Sequence, residues 1–121
     1  MATILIVDDD ETDRVRLAAA LRPDGHQIVL ARDGNEALDV YLAQRVHVVV
    51  TDMVMPGRDG LSLIAAIRDV DPRAAIVAVS GKSRSQLEAS KIYGAHSILE
   101  KPIDPRALLA AVREAVAARG T

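Results

Sequence analysis

The sequence predicts an α/β fold: five βα units in succession, (βα)5, forming a doubly wound five-stranded parallel sheet. Three observations carry this. Short apolar runs alternate with segments of helical spacing along the whole chain. Two of those runs, around Val46–Thr51 and Ala74–Val79, are almost wholly apolar, the pattern of strands buried on both faces. At 121 residues the chain suits one core and is too short for two of ordinary size.

The elements follow in order. Thr3–Val7 is a strand. Thr12–Leu21 is a helix with Leu17, Ala18 and Leu21 on one side. Gln27–Ala31 is a short strand, and Asp33-Gly34 a turn. Asn35 to about Arg45 is a helix with Ala37, Leu38 and Tyr41 on one side. Val46–Thr51 is the third strand, and Met55-Pro56-Gly57 breaks the chain after it. Gly60–Val70 is helical until Asp71-Pro72 stops it. Ala74–Val79 is a strand. Ser83–Tyr93 is a helix ended by Gly94, and Ser97–Leu99 a short strand. Asp104 caps a last helix with Pro105 at its first position, running to about Arg119. No repeat, low-complexity segment or linker interrupts the series, so residues 1–121 form one domain.

Composition narrows the function. The chain has no cysteine, which excludes disulfides, thiolate metal sites and a cysteine nucleophile and fits a reducing, cytoplasmic setting. No apolar run reaches membrane-spanning length, and no signal peptide precedes the first strand. Net charge is −2 with dispersed basic residues, which argues against direct nucleic-acid binding and membrane insertion. Arginine greatly outnumbers lysine; the lysines are Lys82, Lys91 and Lys101. A lysine here marks a place that wants a compact ammonium.

Open α/β sheets bind ligands beyond the carboxyl ends of their strands. Asp8, Asp9 and Asp10 follow the first strand, Asp52 the third, Ser80 the fourth, and Lys101-Pro102 the fifth. Taken alone, each has a plain structural reading: acids cap helices, Asp52 and Ser80 start loops, and Lys101 is a surface lysine before a rigid turn. With strands one, three and four adjacent, they converge on one patch of carboxylates, a hydroxyl and an ammonium. Carboxylates so crowded need a counter-ion. A hard cation such as Mg²⁺ answers that charge and serves phosphoryl transfer, in which a carboxylate can be the nucleophile.

The stretches "ILIVDDDE", "VVVTDMVMPGRDG", "IVAVSG" and "ILEKP" resemble, in order and spacing, the receiver domain of two-component response regulators (CheY-like). The match spans essentially the whole chain. The resemblance implies a flavodoxin-like strand order of 2-1-3-4-5. It implies Asp52 as phosphoacceptor, with Mg²⁺ held by Asp9 directly, by Asp8 mainly through water, by Asp52, and by the main-chain carbonyl of Val54. Ser80 matches the hydroxyl that follows the phosphoryl group, Lys101 the lysine that contacts it, and the bond to Pro102 is expected to be cis. Asp10 then caps the first helix. The implied partners are a histidine kinase or histidine phosphotransfer protein and an unidentified downstream protein. The implied output face is helix four, strand five and helix five, in a monomer or a phosphorylation-dependent dimer. The domain would catalyse only its own phosphorylation and dephosphorylation. With Met1 at one end and "ARGT" at the other, it is expected to stand alone, the alternative being a receiver excised from a longer regulator.

The sequence departs from that pattern at the switch position, where Ile98 replaces the usual aromatic residue, and after Lys101-Pro102, where Ile103 replaces the usual Phe. Output is therefore expected from a backbone shift of helix four and strand five. Val54 and Lys82 occupy positions that affect phosphoryl lifetime in the family; Lys82 is expected to face solvent. Other readings compete. "DDDET" fits the start motif of haloacid-dehalogenase-like phosphatases, with Asp8 as nucleophile and Asp10 as acid/base, but no late acidic pair follows Lys101 and Asp52 would have no task. A docking module that ignores phosphate would not need the acid, Ser80 and Lys101 set. "SGKS" lacks the P-loop's first glycine, whose place falls at Ile76. His26, His47 and His96 lack metal-binding spacing. Arg106, Arg113 and Arg119 make a solvated stripe on the last helix.

Overall fold

The computed structural model describes residues 2–81, 88 and 94–119. Its elements are β1 (Thr3–Val7), α1 (Glu11–Leu21), a 3₁₀ turn (Arg22–Asp24), β2 (Gln27–Ala31), α2 (Gly34–Ala43), β3 (Val48–Asp52), α3 (Gly60–Val70), β4 (Ala75–Ser80), β5 (Ser97–Glu100) and α4 (Pro105–Arg119). The predicted helix Ser83–Tyr93, apart from Glu88, lies outside the described residues, as does Lys82.

All five strands are parallel, in the order β2-β1-β3-β4-β5. Side chains alternate across the sheet and build two cores. Ile4, Ile6, Val48, Val50, Val77 and Val79 meet Leu17 and Leu21 of α1 and Leu108 and Val112 of α4. Leu5, Val7, Val49, Ile76 and Ala78 meet Ala37 of α2 and Leu63, Ile64 and Ile67 of α3. β3 and β4 are buried along their whole length because helices cover both of their faces.

Several boundaries shift from the sequence reading. β3 begins at Val48, not Val46, because His47 is spent holding β1: its N–H donates to the Thr3 carbonyl at 2.9 Å, and its ring Nδ1 accepts from the Thr3 N–H at 2.9 Å. β3, β4 and β5 each run one residue further, to Asp52, Ser80 and Glu100. Gly34 is the first residue of α2, not half of a free turn, since Asp33 caps the helix by accepting from the Glu36 N–H at 2.8 Å. His26 is also an acceptor, taking the Ala2 N–H on Nδ1 at 3.2 Å. Arg113 pairs with Asp24 through two 2.8 Å hydrogen bonds, tying α4 to the 3₁₀ turn and holding the Asp24 carboxyl below its ordinary range.

Candidate functional site

Parallel register gathers the strand ends. Val7 pairs with Thr51, Asp52 with Val79, and Ser80 with Glu100. The residues following β1 and β4 therefore flank the end of β3, and Lys101, following β5, reaches it across the end of β4. The Asp8 N–H continues the sheet by donating to the Ala31 carbonyl at 3.1 Å. Asp8 Oδ1 then accepts from the Asp10 N–H at 2.9 Å, a turn that swings the chain into α1. Asp10 caps that helix by accepting from the Asp13 N–H at 3.1 Å. Asp10 therefore has the capping task expected of it.

Asp52 is divided in its duties. Its Oδ1 accepts from the Met53 N–H at 2.8 Å, with the Val54 N–H at 3.5 Å, while Oδ2 faces Lys101. The Lys101–Pro102 peptide is cis, and the Lys101 N–H donates to the Ser80 carbonyl at 3.2 Å. The Lys101 ammonium reaches Asp8 Oδ2 at 2.8 Å, Asp13 Oδ2 at 3.0 Å and Asp52 Oδ2 at 3.5 Å.

The electrostatics follow from burial. Asp8 is wholly buried and Asp52 nearly so. Burial pushes the Asp8 carboxyl above its ordinary range, against the hydrogen bond from Lys101 and the Asp10 N–H; the Asp52 charge adds to the rise. Burial also disfavours the Lys101 charge, but hydrogen bonds to Asp8 and Asp13 and the charges of Asp52 and Asp8 outweigh it and lift its pKa above the lysine range. One ammonium thus answers three carboxylates.

Among the described residues, carboxylate oxygens of Asp8, Asp9 and Asp52 lie within 4.8 Å of one another, two of them buried and Asp9 exposed. Three hard oxygen donors with an open side, too many for one lysine to neutralise, fit Mg²⁺. They line a cavity of about 350 Å³ together with Asp13, Gly81 and Lys101. Val54 follows in the loop after β3. A larger, mostly apolar groove of about 720 Å³ runs beside this cavity between α1 and Ile103 and Leu108; Asp13 and Lys101 line both.

The sequence reading had Asp8, Asp9, Asp52 and Lys101 on one patch, and the structure brings these four together. Ser80 is buried at the end of β4. Ile98 is half-buried in β5 against the α2/α3 core, and Ile103 against the other. Asp13 was missed. In the first turn of a helix an acid signals only a favourable helix terminus, and its partner lies 88 residues away in sequence.

A family model, the response regulator receiver domain, matches residues 4–113. The chain belongs to this family. It is 32% identical over 121 residues to protein PilH of Pseudomonas aeruginosa, covering 97% of this chain and 99% of that one. It is 38% identical over 111 residues to response regulator MprA of Mycolicibacterium vanbaalenii, covering 91% of this chain but 48% of MprA, about half its length. A response regulator receiver domain protein from Clostridium thermocellum superposes with a TM-score of 0.92 at 25% identity, covering 99% of this chain and 98% of that one. The chemotaxis protein CheY4 of Vibrio cholerae gives 0.86 at 29%, covering 95% and 98%. Receiver domains are signalling switches of two-component systems that generally bind Mg²⁺ in an acidic pocket and meet histidine kinases or phosphotransfer proteins. No described helix of this receiver domain is long and apolar enough to cross a membrane.

Proposed function

We propose that this receiver domain, spanning residues 1–121, accepts a phosphoryl group on Asp52 from a phosphohistidine of a kinase or phosphotransfer protein. The observation that carries the reading is the division of Asp52: Oδ1 is held by the Met53 N–H, leaving Oδ2 toward the cavity and the Lys101 ammonium. Oδ2 of the carboxylate attacks phosphorus, the P–N bond breaks with its electron pair going to the imidazole nitrogen, and that nitrogen is protonated from solvent. Asp52 becomes an acyl phosphate.

Asp8, Asp9, Asp52 and the Val54 carbonyl would hold Mg²⁺, which when bound offsets the charge on the transferring oxygens. Lys101, on Asp8 and Asp52, would supply further positive charge to those oxygens. Ser80, at the end of β4, would follow the phosphoryl group, and β5, with Ile98 in it and Lys101 just after it, would carry the response. A donor protein must cover the rim of this cavity, and the apolar groove along α1 is the surface continuous with that rim.

Intact-mass spectrometry after incubation with acetyl phosphate tests the reading. The native chain gains one phosphoryl group in Mg²⁺, loses that gain in EDTA, and Asp52→Asn takes up none. Equal uptake by Asp52→Asn would overturn the assignment.

A further inference from the structure

We propose that Asp13 is a positioning residue: it holds the Lys101 ammonium toward α1 and competes for it with a phosphoryl group on Asp52. The proposal rests on the reading of Asp52 as phosphoacceptor.

An ammonium has three N–H donors. Here they face three carboxylates, and the contact with Asp52 is the longest, at 3.5 Å against 2.8 Å to Asp8 and 3.0 Å to Asp13. Lys101 at rest is therefore drawn away from the oxygen that would take the phosphoryl group. An acyl phosphate places Oδ2 in the new C–O–P linkage and adds phosphoryl oxygens beyond it. A donor from Lys101 must reach one of them, so one existing contact is given up or stretched.

The surroundings decide which. Asp8 is wholly buried, and its release would strand a carboxylate away from water. The Asp13 side chain is 33% exposed and can exchange the ammonium for water at small cost. Its backbone is fixed, since the Asp13 N–H donates to the Asp10 cap. The carboxylate thus stays within reach of Lys101 and retakes it when the phosphoryl group leaves.

The test compares the native chain, Asp13→Ala, Asp13→Glu, Lys101→Met and the double variant Asp13→Ala/Lys101→Met. Affinity for beryllofluoride in saturating Mg²⁺ is read by NMR titration, and the surroundings of the Lys101 ammonium by its ¹³Cε and ¹⁵Nζ shifts at neutral pH. The chain's three lysines make that signal assignable by its loss in Lys101→Met. Asp13→Ala should bind the mimic about threefold to tenfold more tightly, the size of one competing hydrogen bond. It should also move the Lys101 shifts, and Asp13→Glu should restore both readings toward native.

In the Lys101→Met background, removing Asp13 should change nothing. Unchanged or weaker binding in Asp13→Ala, unmoved Lys101 shifts, or an equal gain without Lys101 would overturn the proposal. In the last case Asp13 acts only as general negative charge. A native chain that binds no beryllofluoride would sink the phosphoacceptor reading, and the competition with it. Lys101 shifts still sensitive to Asp13 would then show that the ion pair survives and that the fault lies with Asp52.

Discussion

Lys101 stands between three carboxylates that would otherwise face one another across the cavity. Its burial works against its own charge, and the acids around it more than compensate. Because its folded pKa is raised, its contribution to stability is complete below the ordinary lysine range and fades as pH rises through the folded value. At neutral pH the contribution is intact. Lys101→Met should therefore destabilise the metal-free protein by roughly 2–3 kcal/mol, less than a fully buried pair because the lysine is 21% exposed. Denaturant unfolding in EDTA measures this, and a loss below half a kcal/mol would contradict it. Asp8, Asp9, Asp52 and Lys101 were legible in the sequence because each stands within two residues of the end of an apolar run. Asp13 was not, because its role depends on a contact that no local pattern encodes.

At the scale of the element, the end of β3 and the start of α3 touch. A Cβ on Gly60 would lie 2.6 Å from the Asp52 carbonyl oxygen and 2.7 Å from the Met53 Cα, both backbone atoms with no freedom to yield. The Gly60 N–H donates to the Met53 carbonyl at 3.0 Å, so the glycine fixes the loop that follows Asp52. Gly60→Ala should cost about 1–3 kcal/mol as an overpacking substitution and lower the melting temperature by several degrees. Gly25→Ala, where no atom stands within 4 Å, meets only the strain of a φ of +70° and serves as the control. Calorimetry on the two variants separates them, and equal losses would mean that the close approach is unimportant. In the sequence Gly60 was visible only as a helix start. Its contact with β3 is a property of packing, as is the His47 ring that accepts the Thr3 N–H and delays β3 by two residues.

On the scale of the molecule, a parallel sheet gathers charge from separate loops at one end. Asp8, Asp9 and Asp52 repel one another there, and a divalent ion bound among them would offset that repulsion. Mg²⁺ should stabilise the native chain by about 2.7 kcal/mol at a hundredfold excess over its Kd. Thermal unfolding across a Mg²⁺ series checks this. Asp9→Asn, which removes the charge of the exposed carboxylate and leaves Asp8 and Lys101 untouched, should flatten the dependence. A native chain whose melting temperature ignores Mg²⁺ would count against the metal site.

The alternation of apolar runs and helical spacing determined the five-stranded α/β architecture by itself, because burial on two faces demands that pattern whatever the order of the strands. Residue type also marked the acids, the hydroxyl and the lysine at the strand ends. Only the tertiary structure decided which of them touch. Strand order sets the neighbours, register sets their height, and both arise from contacts between segments far apart in the chain. That is why the pairing of Lys101 with Asp13, 88 positions apart, emerged from the fold and not from the sequence.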